Sequence, residues 1–154
     1  MPSDEDPVTG RRLASWGRRA GAYFLDIALV IASLVPTGIW AASTEDPVTG
    51  DPADGPLLLL GFLAFIAPSL YQWIMLGARG ATLGKLAVGI VVVRGEDAGK
   101  LGFARAAGRV ASIFLLWILC YLPGLLSYLW PLWDRRNQAL HDKMVNSIVV
   151  RERG

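Results

Sequence analysis

The residue pattern points to an all-α polytopic membrane protein, a small helical bundle with a cytoplasmic amphipathic segment. Three observations carry this. The chain is 53% hydrophobic and only 18% charged, on the apolar side of the usual soluble balance, and its mean hydropathy is +0.42. All 15 Lys and Arg fall in three blocks, Arg11 to Arg19, Arg79 to Arg109 and Arg135 to Arg153, with long apolar stretches between them. Leu57 to Gly77 has no charge at all, and a helix crosses the hydrocarbon core with about 20 such residues.

Composition also removes several classes. At 154 residues there is room for one domain. Six Trp and low charge exclude a disordered chain, which stays unpacked through few apolar groups and high net charge. One Cys excludes a disulfide framework or a multi-Cys zinc site. One His leaves no two-His metal or catalytic centre within a subunit. A net charge of +2 makes no case for nucleic acid.

In chain order, residues 1–14 are expected to be a disordered cytoplasmic N-terminus, 15–150 the membrane domain and 151–154 a tail. The first span covers about 20–42, apolar apart from Asp26. A signal peptide fits it poorly, because the apolar core of such a peptide is about 7 to 15 residues long and holds no aspartate. An acidic, Pro/Gly-rich loop over 41–56 follows, then the second span over 57–77, apolar all round with no stripe to face water. Lys and Arg collect on the cytoplasmic side, which places the N-terminus and 79–109 inside and the acidic loop outside.

Val110 to Trp133 is again uncharged. A single crossing there would put Arg135, Arg136, Lys143, Arg151 and Arg153 outside. Pro123-Gly124 lies near the middle and permits a turn, so 110–133 is expected to enter and return as a hairpin reversing at 123–124. Two β-branched runs, 88–94 and 147–151, read as short strands that would pair and so share one side of the membrane. Val88 to Val93 equally suits the continuation of an interfacial helix begun at Thr82, because a short apolar run has no diagnostic period.

Among ionisable residues, Asp26 stands out, since an unpaired carboxylate in a span costs about 2.5 to 3.5 kcal/mol. Arg19 lies seven residues earlier, two turns away on nearly the same face, with roughly 10 Å of rise between them. Ala22, Ser33 and Thr37 extend that face into a small, polar stripe suited to protein or water. The separation favours a third group between Arg19 and Asp26. Asp26 as a hydrogen-bonded packing residue is the alternative. In the tail, a helix over Asn137 to Asn146 would put Gln138, Asp142 and Val145 on one face and separate His141 from Lys143. Asp142 is then the acid best placed to reach Arg18 or Arg19, although an ordinary interfacial helix with solvated charges gives the same pattern.

Three blocks in order resemble the RDD family of small bacterial membrane proteins, named for an arginine and two aspartates. They are Ser15-Trp16-Gly17-Arg18-Arg19-Ala20-Gly21-Ala22-Tyr23-Phe24-Leu25-Asp26, Gly80-Ala81-Thr82-Leu83-Gly84-Lys85-Leu86 running on to Val93, and Trp130-Pro131-Leu132-Trp133-Asp134-Arg135-Arg136 through His141-Asp142-Lys143 to Val150. The resemblance implies that the family arginine is Arg19, with Arg18 adjacent, and that the aspartates are Asp26 and Asp142. It departs at the last strand, where the family's Gly-Thr is replaced by Asn146-Ser147. Transport is the role proposed for the family.

Other motifs lead nowhere. Thr82-Leu83-Gly84-Lys85 lacks the first glycine and the final hydroxyl of a phosphate loop. Gly17 to Gly21 and Gly80 to Gly84 match Gly-x-x-x-Gly, as chance allows with 17 glycines. Cys120 reads as a buried packing residue. The hexapeptide Glu-Asp-Pro-Val-Thr-Gly occurs at 5–10 and 45–50 without a structural period to explain it.

Two functions remain. One is a transport component of the plasma membrane, multi-pass with a cytoplasmic N-terminus, in which Arg19, Asp26 and Asp142 bind a small ion, proton or ligand, supported by Arg18, Ser33, Gln138 and His141. The other is a non-catalytic adaptor or assembly subunit, in which the same residues form a clamp and the basic face docks a partner or anionic membrane lipid. Either implies a homo-oligomer or a larger membrane complex. No cofactor or metal is expected, and no nucleophile is paired with a base, so an enzyme is not expected either.

Overall fold

The computed structural model describes residues 5–46, 48–51, 54–119 and 121–152. Two long apolar stretches form the longest helices, α1 (Trp16–Ser43) and α2 (Asp54–Arg79). Both are long and apolar enough to cross a membrane. A short helix α3 (Leu83–Ala87) leads into strand β1 (Ile90–Arg94). Helices α4 (Gly102–Leu119) and α5 (Tyr121–Leu129), a 3-10 turn at Trp130–Leu132, helix α6 (Leu140–Met144) and strand β2 (Ser147–Arg151) complete the order.

Helix α4 packs antiparallel on α2. Phe103 stacks edge-on against Trp73 and Phe114 lies against Phe65 at 5.1 Å, so partners fall along α2 as they rise along α4. The chain then reverses. Arg109 of α4 and Ser127 of α5 both meet the ring of His141, whereas 18 residues of unbroken helix would hold them about 27 Å apart. The hairpin does not turn at Pro123-Gly124, because α5 has already begun at Tyr121. Pro123 sits in the first turn of α5, where its missing N–H had no intrahelical partner to lose. Cys120 lies outside the described residues.

β1 and β2 pair antiparallel, from Ile90 opposite Arg151 to Arg94 opposite Ser147. Alternation sends Ile90, Val92 and Val149 to one face, where they join Ala14, Ala22, Leu76, Leu101 and Ala106. Val93, Ile148 and Val150 go to the other, with Leu13. Residues 88–94 therefore do not continue a helix. Gly89, at φ +66, ends the turn after α3 and starts the strand.

Residues 5–14 are ordered, contrary to the expectation of disorder. Leu13 bridges to Val150, Ala14 N–H donates to the Val149 carbonyl and Arg151 N–H to that of Arg12. This covers the free edge of β2, which would otherwise leave its ladder groups unpaired. Asp6 is buried and takes a forked pair of bonds from Arg136, at 2.6 and 3.1 Å. The repeated hexapeptide also gains an account. In each copy the aspartate (Asp6, Asp46) accepts the N–H of the following threonine, its carbonyl accepts the N–H of the glycine, and Gly10 and Gly50 take φ of +64 and +75. The same aspartate, threonine and glycine thus close the same turn twice, with the side chain standing in for a backbone acceptor.

Helix α3 lies close against α1, and Gly84 permits it. A methyl group there would collide with the Ala22 carbonyl and the Asp26 carboxylate. Gly84→Ala is expected to destabilise the protein by about 1–3 kcal/mol through overpacking, measured as a lower melting temperature of the purified chain in detergent. Gly17→Ala, with open space around it, should leave that temperature unchanged.

Candidate functional site

Asp142 is fully buried and is the point where the elements at this end meet. Arg19 of α1 reaches its Oδ2 at 2.8 Å and Arg109 of α4 its Oδ1 at 2.7 Å. The Ala139 N–H donates to Oδ2 and the Ser147 hydroxyl to Oδ1. Every lone-pair direction of the carboxylate is therefore used, as burial demands. Burial alone would raise the Asp142 pKa, but Arg109 and Arg19, with the Ala139 N–H, hold it well below the usual carboxylate range.

His141, also fully buried, completes the cluster in neutral form. Burial drives its pKa down to about 3, against the pull of Asp142 and with Arg109 adding to the depression. A guanidinium only donates, so the 3.2 Å contact with Arg109 makes Nε2 the acceptor. Nδ1 then carries the proton and donates to Ser127 Oγ at 2.9 Å. Two arginines thus face one carboxylate, and the cluster keeps a net positive charge.

Asp26 stands in a separate set of bonds. Its Oδ2 accepts from the Thr82 hydroxyl at 2.5 Å, and its Oδ1 accepts from Gly84 N–H at 2.9 Å and the Tyr71 hydroxyl at 3.2 Å. Tyr71 in turn takes the Leu83 N–H. The first N–H groups of α3, orphaned by helix geometry, are satisfied by side chains of α1 and α2. A negative carboxylate at that terminus also suits the helix dipole.

The two sets are joined by a partly open cavity of about 610 Å³ that Arg19, Asp26 and Lys85 line together with apolar residues of α1, α2 and α5. Asp142 lies behind Arg19 and does not line it. Arg19, Asp26 and Asp142 therefore do not form one mutual triad: Arg19 binds Asp142 and shares only the cavity with Asp26.

The remaining expected residues divide. Gln138 is buried and donates from Nε2 to the Ser147 carbonyl, so it supports the Asp142 side. The tail helix is shorter than 137–146, because Asn137 and Asn146 take φ of +50 and +48, which no right-handed helix accommodates. Arg18 is exposed and binds the Val88 carbonyl, which leaves Arg19 as the arginine of the cluster. Ser33 is exposed, its hydroxyl turned back to the Val30 carbonyl of its own helix. Arg109, Lys85, Thr82, Tyr71, Ser127 and Ser147 were not expected. One signal for Arg109 was present: it is the last charge before the 24 uncharged residues from Val110 to Trp133.

Comparison with known proteins decides the family, since the model of the RDD family matches residues 13–146, nearly the whole chain and both aspartates. This chain belongs to the RDD family. It is also similar to proteins named proline-rich antigen homolog from two strains of Mycobacterium tuberculosis, CDC 1551 / Oshkosh and H37Rv. In each it is 30% identical over 74 residues, which is 48% of this chain and 29% of the relative. The match therefore spans under a third of the length of these curated relatives. No solved structure matches the chain.

Two outcomes test this geometry in the RDD-family chain. Asp142→Asn leaves Arg19 and Arg109 buried without a counter-charge and is expected to cost about 3–5 kcal/mol, read as loss of folded protein in detergent. His141 is neutral when folded and protonates freely when unfolded. Stability is therefore expected to fall as pH drops from about 6.5 toward about 3. Melting temperatures between about pH 6.5 and 5.5, above the ordinary carboxylate range, should show this slope in the natural chain and a flatter one in His141→Gln.

Proposed function

We propose that this RDD-family chain is a multi-pass transport component of the plasma membrane, with its N-terminus and its C-terminal tail on the cytoplasmic side. In this reading Arg19, Asp142 and Arg109 clamp the cytoplasmic end of the helices. The cavity beside them, bounded by Asp26 and Lys85, takes a small charged species. The charge distribution supports the orientation, since Arg19, Arg109 and Arg136 bind within the end that holds the sheet and the acidic turn at Asp46 and Asp51 follows the far end of α1.

One observation carries the reading: an acid and a base, both nearly inaccessible, line one cavity instead of neutralising each other in a closed ion pair. Intramembrane ionisable residues in such a position are functional by default. Two long apolar helices and a hairpin are few for a complete pathway, so a homo-oligomer or a larger membrane complex belongs to the proposal. It needs neither catalysis nor a cofactor.

The adaptor reading is favoured by a different observation, the saturation of Asp142, which joins α1, α4, α6 and β2 as a structural clamp would. Asp26→Asn separates the two. An asparagine at 26 still accepts from Gly84 and Tyr71 and donates to Thr82, so its folding cost should stay within about 1 kcal/mol. Proton flux is measured in proteoliposomes with an entrapped pH dye under an imposed membrane potential. The transport reading expects flux in the natural chain and its loss in Asp26→Asn at an unchanged melting temperature. Absence of flux in the natural chain, or full flux in the variant, overturns it.

A further inference from the structure

Arg19 is only 6% exposed. It spends Nη1 on Asp142, while its Nε and Nη2 have no hydrogen-bond partner. Buried donors left open are costly and rare, and this residue lines the 610 Å³ cavity. Beside it Lys85, 4% exposed, forms no ion pair among the described residues; its ammonium rests over the Tyr23 ring at 5.4 Å. The carboxylate in the same wall, Asp26, is already committed to Thr82, Gly84 and Tyr71.

The cavity has two unlike ends. It follows α1 from Trp16 to Ile31, about 22 Å at 1.5 Å per residue. Arg19 and Lys85 line it nearer the Trp16 end, and Val30, Ile31 and Pro68 line it further along α1. A volume of 610 Å³ is ample for a bound organic ligand. Cationic donors at one end and a hydrocarbon wall at the other match an anionic amphiphile.

We propose that this cavity holds one acidic phospholipid, its phosphate on Arg19 and Lys85 and one acyl chain laid along α1 toward Ile31 and Pro68. The inference shares with the proposed function only the reading of the cavity as a ligand chamber, and it assigns that chamber a lipid in place of a small charged species.

A pH dependence accompanies the site. Burial lowers the Lys85 pKa to about 7, with Arg109 and Arg19 pushing the same way and Asp26 and Asp142 opposing; Tyr23 stacks beneath it. A bound phosphate favours the charged form, so binding is tightest below about pH 7 and weakens as pH rises above it.

The test uses the full chain in phosphatidylcholine nanodiscs, titrated with phosphatidylglycerol and read by melting temperature and by native mass spectrometry of the released protein. Expected are one retained phosphatidylglycerol per chain, a saturable rise in melting temperature, and weaker binding at pH 8.5 than at pH 6. Lys85→Gln should weaken binding about fivefold or more, the scale of one lost positive charge beside an anionic headgroup. The exposed Arg12→Gln and Arg135→Gln should leave it unchanged.

Leu125→Trp, which narrows the cavity away from the clamp, should also abolish retention and decides the matter if Lys85→Gln does not fold. The inference is overturned if phosphatidylcholine stabilises equally, if inorganic phosphate alone reproduces the effect, or if Arg12 and Arg135 matter and Lys85 and Leu125 do not. Proton flux in the same preparations keeps the two proposals apart. Flux that Leu125→Trp abolishes, with no response to phosphatidylglycerol, sinks the lipid site and leaves transport standing. A retained lipid without flux does the reverse.

Discussion

A carboxylate with no access to water has to be surrounded, and Asp142 needs two arginines, an amide and a hydroxyl to achieve it. Those groups come from α1, α4, the approach to α6 and β2. No two of them are neighbours in sequence except through α6 itself. Satisfying one acid therefore forces the start of α1, the first half of α4 and the final strand to one end of the molecule. The β1–β2 ladder, the Leu13 bridge to Val150 and the Asp6–Arg136 fork all close at that same end. A chain whose helices are apolar over most of their length has few other means of fixing which ends meet.

The second carboxylate is held by a different logic. Among the described residues no cation touches Asp26; it accepts the N–H of Gly84 and two hydroxyls, and so completes the start of a helix too short to cap itself. Thr82 precedes α3 at the cap position, yet its hydroxyl serves Asp26 instead of the helix. The Gly84 backbone can approach only because it carries no side chain. The two acids that resemblance groups together are thus doing unlike physical tasks: one balances charge and the other replaces missing backbone bonds.

The parts legible in the sequence are those set by composition and period. Uncharged runs gave the two long helices, alternating β-branched residues gave the strands, and the parity of basic blocks required the hairpin. What failed was local. Pro123-Gly124 suggested the break, but a proline is tolerated in the first turn of a helix, so the dipeptide marks a start as well as an end. The tail helix is shorter than its sequence pattern suggests, because nothing in a helical wheel reveals that Asn137 and Asn146 adopt left-handed backbone. Ser33 fitted the polar stripe by spacing, but a serine in an apolar helix can satisfy itself on the carbonyl behind it. Lys85 is illegible for the opposite reason: it sits in a block of basic residues, and sequence alone does not say which member of such a block is turned inward, whereas Arg109 is marked only by closing its block.

Arg19 is where the two halves of the site meet, and its geometry explains why they need each other. A guanidinium has five donors in a rigid plane, and Asp142 occupies only one edge of it. Held there, the arginine cannot rotate to follow Asp26, although both residues line the same cavity. The surplus positive charge of two arginines on one acid, with His141 neutral, falls on the same side. A lysine at 19 would lose this division, because an ammonium is a point charge that turns toward whichever acid is nearest. The clamp therefore does more than stabilise the bundle: by binding one edge of Arg19 it fixes the height along α1 at which this positive charge stands in the cavity wall.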